Sequence, residues 1–362
     1  MNRREFLRLT AAMGLTAATT DRADRQGLSP QPTLQSQSPA ALKLGCQRYG
    51  ANSDEALQYY ARYGVTHIAA RPEGAWTVEN ITKMRKRASA HGITVESAHI
   101  PIGPIWDRDR GTRDRAIDEF CAAIKIGAEG GYSVLLYGVG GGLKVPFDAP
   151  FRTGSTLGRG GASYSTFEMA KVGPAPDESK AVSSEEMWDA LACFLDRAVP
   201  VAETCRARIA CHPEDPPYPP GFRGTAHALA SVEGLKRFVS MADSDYHGLN
   251  FCQGTVSEML DDPRSEICDI IRWFGARRKI HNVHLRNIRG RRDSFRETYP
   301  DEGNVDMLMA MRAYKEIGYS GMIMPDHLPD HPDDAHGRES FAFAYGYIRA
   351  LIQAVNAEPR SR

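Results

Sequence analysis

The 362-residue sequence has no excess of either charge: 45 Lys and Arg stand against 45 Asp and Glu. Without a net positive field nothing holds a polyanion by counterion release, so nucleic acid is excluded as an expected partner. Long apolar runs are missing too. None approaches the roughly 18 residues a bilayer-spanning helix needs, so no membrane contact is expected after export. The seven cysteines form no Cys-x-x-Cys pair and no dense framework, which excludes a zinc ribbon and a disulfide scaffold. Each cysteine must be weighed singly. Phosphate-cradling patterns are absent as well, because Gly140-Gly141-Gly142 is accompanied by no Gly-Lys-Ser/Thr and no GxGxxG. With 42% hydrophobic and 25% charged residues, the remainder has the balance of an ordinary globular protein.

The amino terminus reads as an address. Asn2-Arg3-Arg4-Glu5-Phe6-Leu7-Arg8 precedes a small-residue apolar run from Leu9 to Thr20, an order that resembles a twin-arginine export signal. Export to the periplasm or beyond is therefore expected, with residues 1–20 as the signal. Residues 21–41, rich in Gln, Ser and Pro, form a linker too polar to fold.

From residue 42 to 357 short β-prone runs alternate with helical-period segments, the pattern of a parallel sheet with crossover helices. The runs are Lys43–Cys46, Thr66–Ala70, Thr94–Ala98, Ser133–Tyr137, Arg208–Cys211, Leu249–Cys252, Asn282–Leu285 and Gly321–Met324. Eight such units predict an α/β fold of the (β/α)8 TIM-barrel type. Ser53 and Thr77 are placed to cap the first two helices, and Gly64, Gly92 and Gly318 fall where helices should stop. The last helix repeats Phe341, Tyr345, Ile348, Ile352 and Val355 at spacings of three and four. One interval breaks the rhythm. Residues 138–182, rich in glycine and aromatics, are expected to be a lid-like insertion over the barrel mouth, with Tyr164, Phe167 and Glu168 facing the substrate.

Barrel enzymes work at the carboxyl ends of their strands, so the polar residues ending each run are the informative ones. Strands five to eight end in His212, Cys252, His284 and Asp326, at intervals of 40, 32 and 42 residues. Each interval is one strand-helix period, which brings all four to one rim. A thiolate, two imidazoles and a carboxylate suit a divalent transition metal with positions left open for substrate oxygens. Cys211 must point the other way along its strand, His281 starts its strand at the wrong end, and His67 lies inside strand two.

The motifs around these positions are His212-Pro213-Glu214-Asp215-Pro216-Pro217, Phe251-Cys252-Gln253-Gly254-Thr255, Val283-His284-Leu285-Arg286, Asp301-Glu302-Gly303-Asn304-Val305-Asp306-Met307 and Pro325-Asp326-His327. Their order resembles the mannonate dehydratase family of the xylose-isomerase-like barrels. The likeness extends to Arg48-Tyr49-Gly50, Trp76-Thr77-Val78-Glu79 and Phe167-Glu168-Met169. It implies a metal-dependent dehydratase converting D-mannonate, or a close analogue, to 2-keto-3-deoxy-D-gluconate. The implied metal is Mn²⁺, with Fe²⁺, Zn²⁺ or Mg²⁺ as alternatives, held by His212, Cys252, His284 and Asp326.

Arg286, two residues past His284 on the same strand face, is a candidate to grip the substrate carboxylate as a bidentate fork and assist catalysis, or else to serve as a salt bridge. His327 is the candidate acid or base, with a supporting structural role as the competitor. Asp215 is a candidate to orient substrate hydroxyls, or to organise its proline-rich turn. Tyr164 joins them as a substrate-binding candidate on the insertion. The sequence departs from the family where Phe295-Arg296-Glu297 replaces a Phe-His-Glu and Met324 replaces an Arg, and a catalytic tyrosine expected beyond Asp326 has no counterpart near His336-Gly337-Arg338-Glu339. Two alternatives therefore stay open: an exported sugar isomerase or epimerase using the same metal, and a non-catalytic sugar-acid binding protein. The oligomeric state is left open, a homo-oligomer included.

Overall fold

The structure is a computed structural model that describes residues 42–47, 53–139, 151–173, 182–222 and 226–359. The export signal, the linker, Arg48-Tyr49-Gly50 and Gly140-Gly141-Gly142 lie outside the described residues.

Local signals set the first elements. Strand β1 (Lys43–Gln47) leads to helix α1 (Asp54–Arg62), where the Ser53 side chain accepts from the Ala56 N–H. After β2 (His67–Ala69), helix α2 (Val78–Ala90) begins with Thr77 accepting from the Asn80 N–H. Each cap satisfies a backbone donor that the helix start would otherwise orphan. Then come β3 (Thr94–His99), α3 (Arg110–Glu129) and β4 (Val134–Gly138). Gly64, Gly92 and Gly318 all adopt positive φ, between 71° and 78°, at the helix ends where the sequence predicts a stop.

The chain continues through β5 (Gly154–Leu157), β6 (Ser163–Glu168), α4 (Ser184–Cys205), β7 (Arg208–His212), α5 (Val232–Ser240), β8 (His247–Cys252), α6 (Gln253–Glu258) and α7 (Pro263–Ala276). It ends with β9 (Ile280–His284), β10 (Asn287–Arg291), β11 (Ser294–Thr298), α8 (Met307–Glu316), β12 (Met322–Met324) and α9 (Arg338–Ala357). Eight parallel strands, β1-β2-β3-β4-β7-β8-β9-β12, close on themselves through the β12–β1 pairing. This is the predicted (β/α)8 barrel, and each of the eight predicted runs overlaps one of its strands.

Two apolar layers hold it. Ala69, Val134, Leu136, Ala210, Met322 and Met324 fill the barrel interior, small and flexible side chains suited to a narrow bore. Outside, residues such as Ile117, Phe120, Leu191 and Phe194 pack helices onto the strands. In α9, Tyr345, Ile348 and Val355 are buried, with Phe341 and Ile352 flanking them, as their spacing predicts.

The interval at residues 138–182 holds more than a loop. Among its described residues, β5 and β6 join the hairpin β10–β11 in a four-stranded antiparallel sheet, β10-β11-β6-β5. Phe295 opposes Phe167 in register, and together with Ile288 and Tyr218 they form a small core of their own. The sequence pattern missed the hairpin for a physical reason. Asn287-Ile288-Arg289-Gly290-Arg291 and Ser294-Phe295-Arg296-Glu297-Thr298 each hold one large apolar residue, too thin an alternation to register as a strand. Beside the hairpin, Asn287 donates to the carbonyls of Pro300 and Val305 and accepts from the Val305 N–H, which pins the Asp301–Asp306 motif.

Candidate metal centre and its buried ion network

The barrel register places the four predicted ligands. Cys252 and His284 end adjacent strands as direct partners, Met324 pairs with His284 two residues before Asp326, and His212 closes β7 opposite Gly138. One donor atom from each of His212, Cys252, His284 and Asp326 lies within 4.8 Å of the others. His212 Nδ1 lies 2.6 Å from the Pro213 carbonyl; donating there leaves Nε2 as its acceptor. His284 Nε2 lies 3.3 Å from the Asn250 amide, itself tied to Asn282, while buried Nδ1 has no hydrogen-bond partner and lies 3.6 Å from Asp326 Oδ1. An orphaned buried nitrogen beside a thiol and a carboxylate fits a cation. Burial raises the Cys252 thiol above its ordinary value, so it would stay protonated without a positive charge to offset the cost.

Two residues that the sequence reading passed over complete this rim. Gln47, ending β1, donates to Asp326 Oδ1 at 3.3 Å and lies 3.2 Å, through its Oε1, from His99 Nε2. Burial, with His284 and His212 nearby, lowers His99 to about 3, so it is a neutral imidazole. Its strand was expected to end one residue earlier, at Ala98.

Beside the ligands lies a buried ion network centred on Arg286. Its side chain is 0% exposed, and Nη2 donates to Asp215 and Glu258, both at 2.8 Å, while Nη1 donates to Glu297 at 3.0 Å. Thr255 Oγ1 accepts from it as well. The expected grip of Arg286 on a substrate carboxylate is therefore corrected: its fork is already committed to protein carboxylates, and no face of it is open. Gly254 makes this path available, since a Cβ there would lie 2.1 Å from Arg286 Nε. Arg152, from the insertion, is the second guanidinium and bonds Asp215, Glu258 and Glu297.

Burial works against ionising Asp215, yet Arg286 and Arg152 hold its carboxyl below the usual range. Burial pushes Glu258 well above that range, with Asp215 and Glu297 adding to the effect. With Glu258 protonated, two guanidinium charges meet the two charges of Asp215 and Glu297. Asp215 thus organises the network rather than standing free in the mouth.

His327 sits where this network meets the ligands. Its Nδ1 lies 2.8 Å from Glu297 Oε1 and 2.7 Å from Arg286 Nη1, so that nitrogen is engaged in either tautomer. Nε2 remains on the side of the ligands, 3.7 Å from Asp326 Oδ1, and the side chain is 41% exposed. Burial opposes protonation of His327, but Asp326 and Glu297 raise its pKa above the ordinary value.

Tyr164 is placed elsewhere. Its hydroxyl bonds Glu302 and the Arg159 N–H, and its ring meets Tyr299, with none of the four ligands among these partners. Phe167 is buried in the small sheet core rather than facing the mouth. Cys211 points outward into the helix-facing core, as its position on the strand predicts.

Comparison with known proteins follows the same lines. The family model for D-mannonate dehydratase (UxuA) matches residues 161–361, more than half of the chain. The mannonate dehydratase of Streptococcus agalactiae serotype Ia is 29% identical over 323 residues, covering 80% of this chain and 90% of the relative. A mannonate dehydratase structure from Streptococcus suis serotype 2 superposes with a TM-score of 0.74 at 22% identity, covering 87% of this chain and 95% of that one. A D-psicose 3-epimerase from Clostridium cellulolyticum H10 shares the fold more distantly, with a TM-score of 0.56 at 12% identity over 87% of this chain and 99% of that one. On the family match, the chain belongs to the D-mannonate dehydratase family.

Proposed function

We propose that this protein is a metal-dependent dehydratase of a sugar acid, D-mannonate or a close analogue, releasing water to form a 2-keto-3-deoxy acid. The observation that carries the reading is the convergence of His212, Cys252, His284 and Asp326 beside a partly exposed histidine whose far nitrogen is held by Glu297 and Arg286. The four ligands would hold a divalent ion, Mn²⁺ first, which when bound polarises the substrate's carboxylate and hydroxyl oxygens and lowers the pKa of the adjoining C–H. His327 then does the proton work. Nε2 takes the C2 proton and delivers it to the departing 3-hydroxyl, which leaves as water, and the resulting enol relaxes to the ketone.

Gln47 and His99 face the ligands from β1 and β3 and offer amide and imidazole groups to the sugar hydroxyls. Arg286 does not grip the substrate but holds His327, by direct contact with Nδ1 and through Glu297. Phosphorylated sugars should be poor substrates, because the sequence lacks a phosphate-cradling motif. The test is His327→Gln in the manganese-loaded protein. Turnover should fall by about 10²–10⁴-fold while bound metal is unchanged, and full turnover in the variant would remove His327 from the mechanism.

A further inference from the structure

Of two consecutive residues of the insertion, Phe151 meets His327 directly and Arg152 meets its partner Glu297. The Phe151 ring meets the imidazole edge to face, with centres 5.3 Å apart and planes at 80°. Phe151 is 48% exposed, so this contact is not a demand of the barrel core. Arg152 turns inward instead, to 8% side-chain exposure, and its guanidinium lies 4.0 Å from the Phe151 ring centre. Of its three carboxylate partners, Glu297 is the one that touches His327 Nδ1. Asp215 and Glu258 are shared with Arg286, the other neighbour of that nitrogen.

The charge balance explains why a second guanidinium is needed. With Glu258 protonated, the charges of Asp215 and Glu297 around Arg286 alone would still leave one negative charge unmatched out of water, and such a surplus is relieved by taking up a further proton. A protonated Glu297 would then make only a neutral hydrogen bond to His327, about half as strong as the charge-assisted one. Lysine could not substitute, because Nη1 meets Asp215 while Nη2 meets Glu258 and Glu297, and a single ammonium nitrogen cannot occupy both positions of the fork.

We propose that Phe151 and Arg152 form a clamp that fixes the His327 ring, Phe151 by direct contact and Arg152 through Glu297, which makes the inserted sheet part of the proton-transfer apparatus. Both are positioning residues. The catalytic half of this inference rests on the function proposed above; the orientation of the ring does not.

The test uses full-length, manganese-depleted and metal-loaded protein labelled with ¹⁵N-histidine, the His327 signal being the one lost in His327→Gln. The metal-free form avoids paramagnetic broadening, and in it wild-type His327 should show the Nδ1–H tautomer, donating to Glu297 and leaving Nε2 free to take a proton. Phe151→Ala, Arg152→Lys and Arg152→Met should each show averaged tautomers. In the loaded enzyme they should lower kcat by about tenfold or more with KM and metal stoichiometry little changed, a part of the roughly 10²–10⁴-fold that a well-placed acid-base group supplies. Phe151→Ala keeps the test valid should the buried Arg152 variants fail to fold. An unaltered His327 signal in every folded variant would overturn the clamp, whatever the reaction. If wild-type protein forms no keto acid, the proposed function fails, while the spectra still decide the clamp by the same criterion.

Discussion

Arg286 is wholly buried and donates to Asp215, Glu258 and Glu297, so its removal would strand carboxylates in a dry site. Arg286→Met should therefore cost about 3–5 kcal/mol of stability, the usual penalty for breaking a buried ion network from one side. Urea unfolding would measure it, and a loss confined to substrate binding would contradict this placement. The ligands should behave in the opposite way. Cys252→Ala or His284→Ala removes one donor at the rim, so bound metal should drop to under about a tenth of wild type while far-ultraviolet circular dichroism is retained. Full metal occupancy in both variants would dissolve the assignment. These four residues were legible in the sequence because strand ends recur at the period of the fold. Arg152 was not, since it lies in an interval with no period, and His99 was missed because its strand runs one residue further than its apolar pattern.

The four-stranded sheet β10-β11-β6-β5 is the element the sequence did not announce, and its small core makes it separately breakable. Phe167, Tyr218, Ile288 and Phe295 bury one another, with the Phe167 and Phe295 rings stacked at 5.2 Å between centres. Phe295→Ala should cost about 3–5 kcal/mol within this satellite. Among the described residues only four of the satellite are buried, with Met169, Val172 and Phe222 flanking them, so the loss should open the sheet and leave the barrel closed. Hydrogen exchange would then show protection lost across β6, β10 and β11 and kept in β7, β8 and β9. Because Glu297 lies on β11 and bonds His327, turnover should fall with that protection. Sheet amides that stay protected would show that the element draws its stability from the barrel rather than from its own core. The barrel strands and helix caps were readable because burial on both sheet faces and a free first turn leave strong, local marks.

Across the whole molecule, the four candidate ligands sit at the ends of four different barrel strands, so the metal binding proposed here would depend on the closed barrel, which alone brings residues 30 to 40 or so positions apart into one shell. Chelation should therefore lower the unfolding midpoint and restored Mn²⁺ should raise it, with a gain in stability of about 2.7 kcal/mol at one hundred times the dissociation constant. A midpoint indifferent to metal would argue against a built site. Export is proposed on Arg3-Arg4 and the apolar run behind them. Replacing both arginines with lysine should retain the protein in the cytoplasm, as the pair is read by a receptor; fractionation would show it, and unchanged export would point to another route. The reaction itself is best tested on the manganese-loaded wild-type protein with a panel of aldonates and ketoses, scoring keto-deoxy acid formation and changes of sugar stereochemistry together. The account predicts a metal-dependent 2-keto-3-deoxy acid from D-mannonate or a near relative and no epimerised ketose. Metal-dependent epimerisation of a ketose, with no keto-deoxy acid from any aldonate, would contradict it.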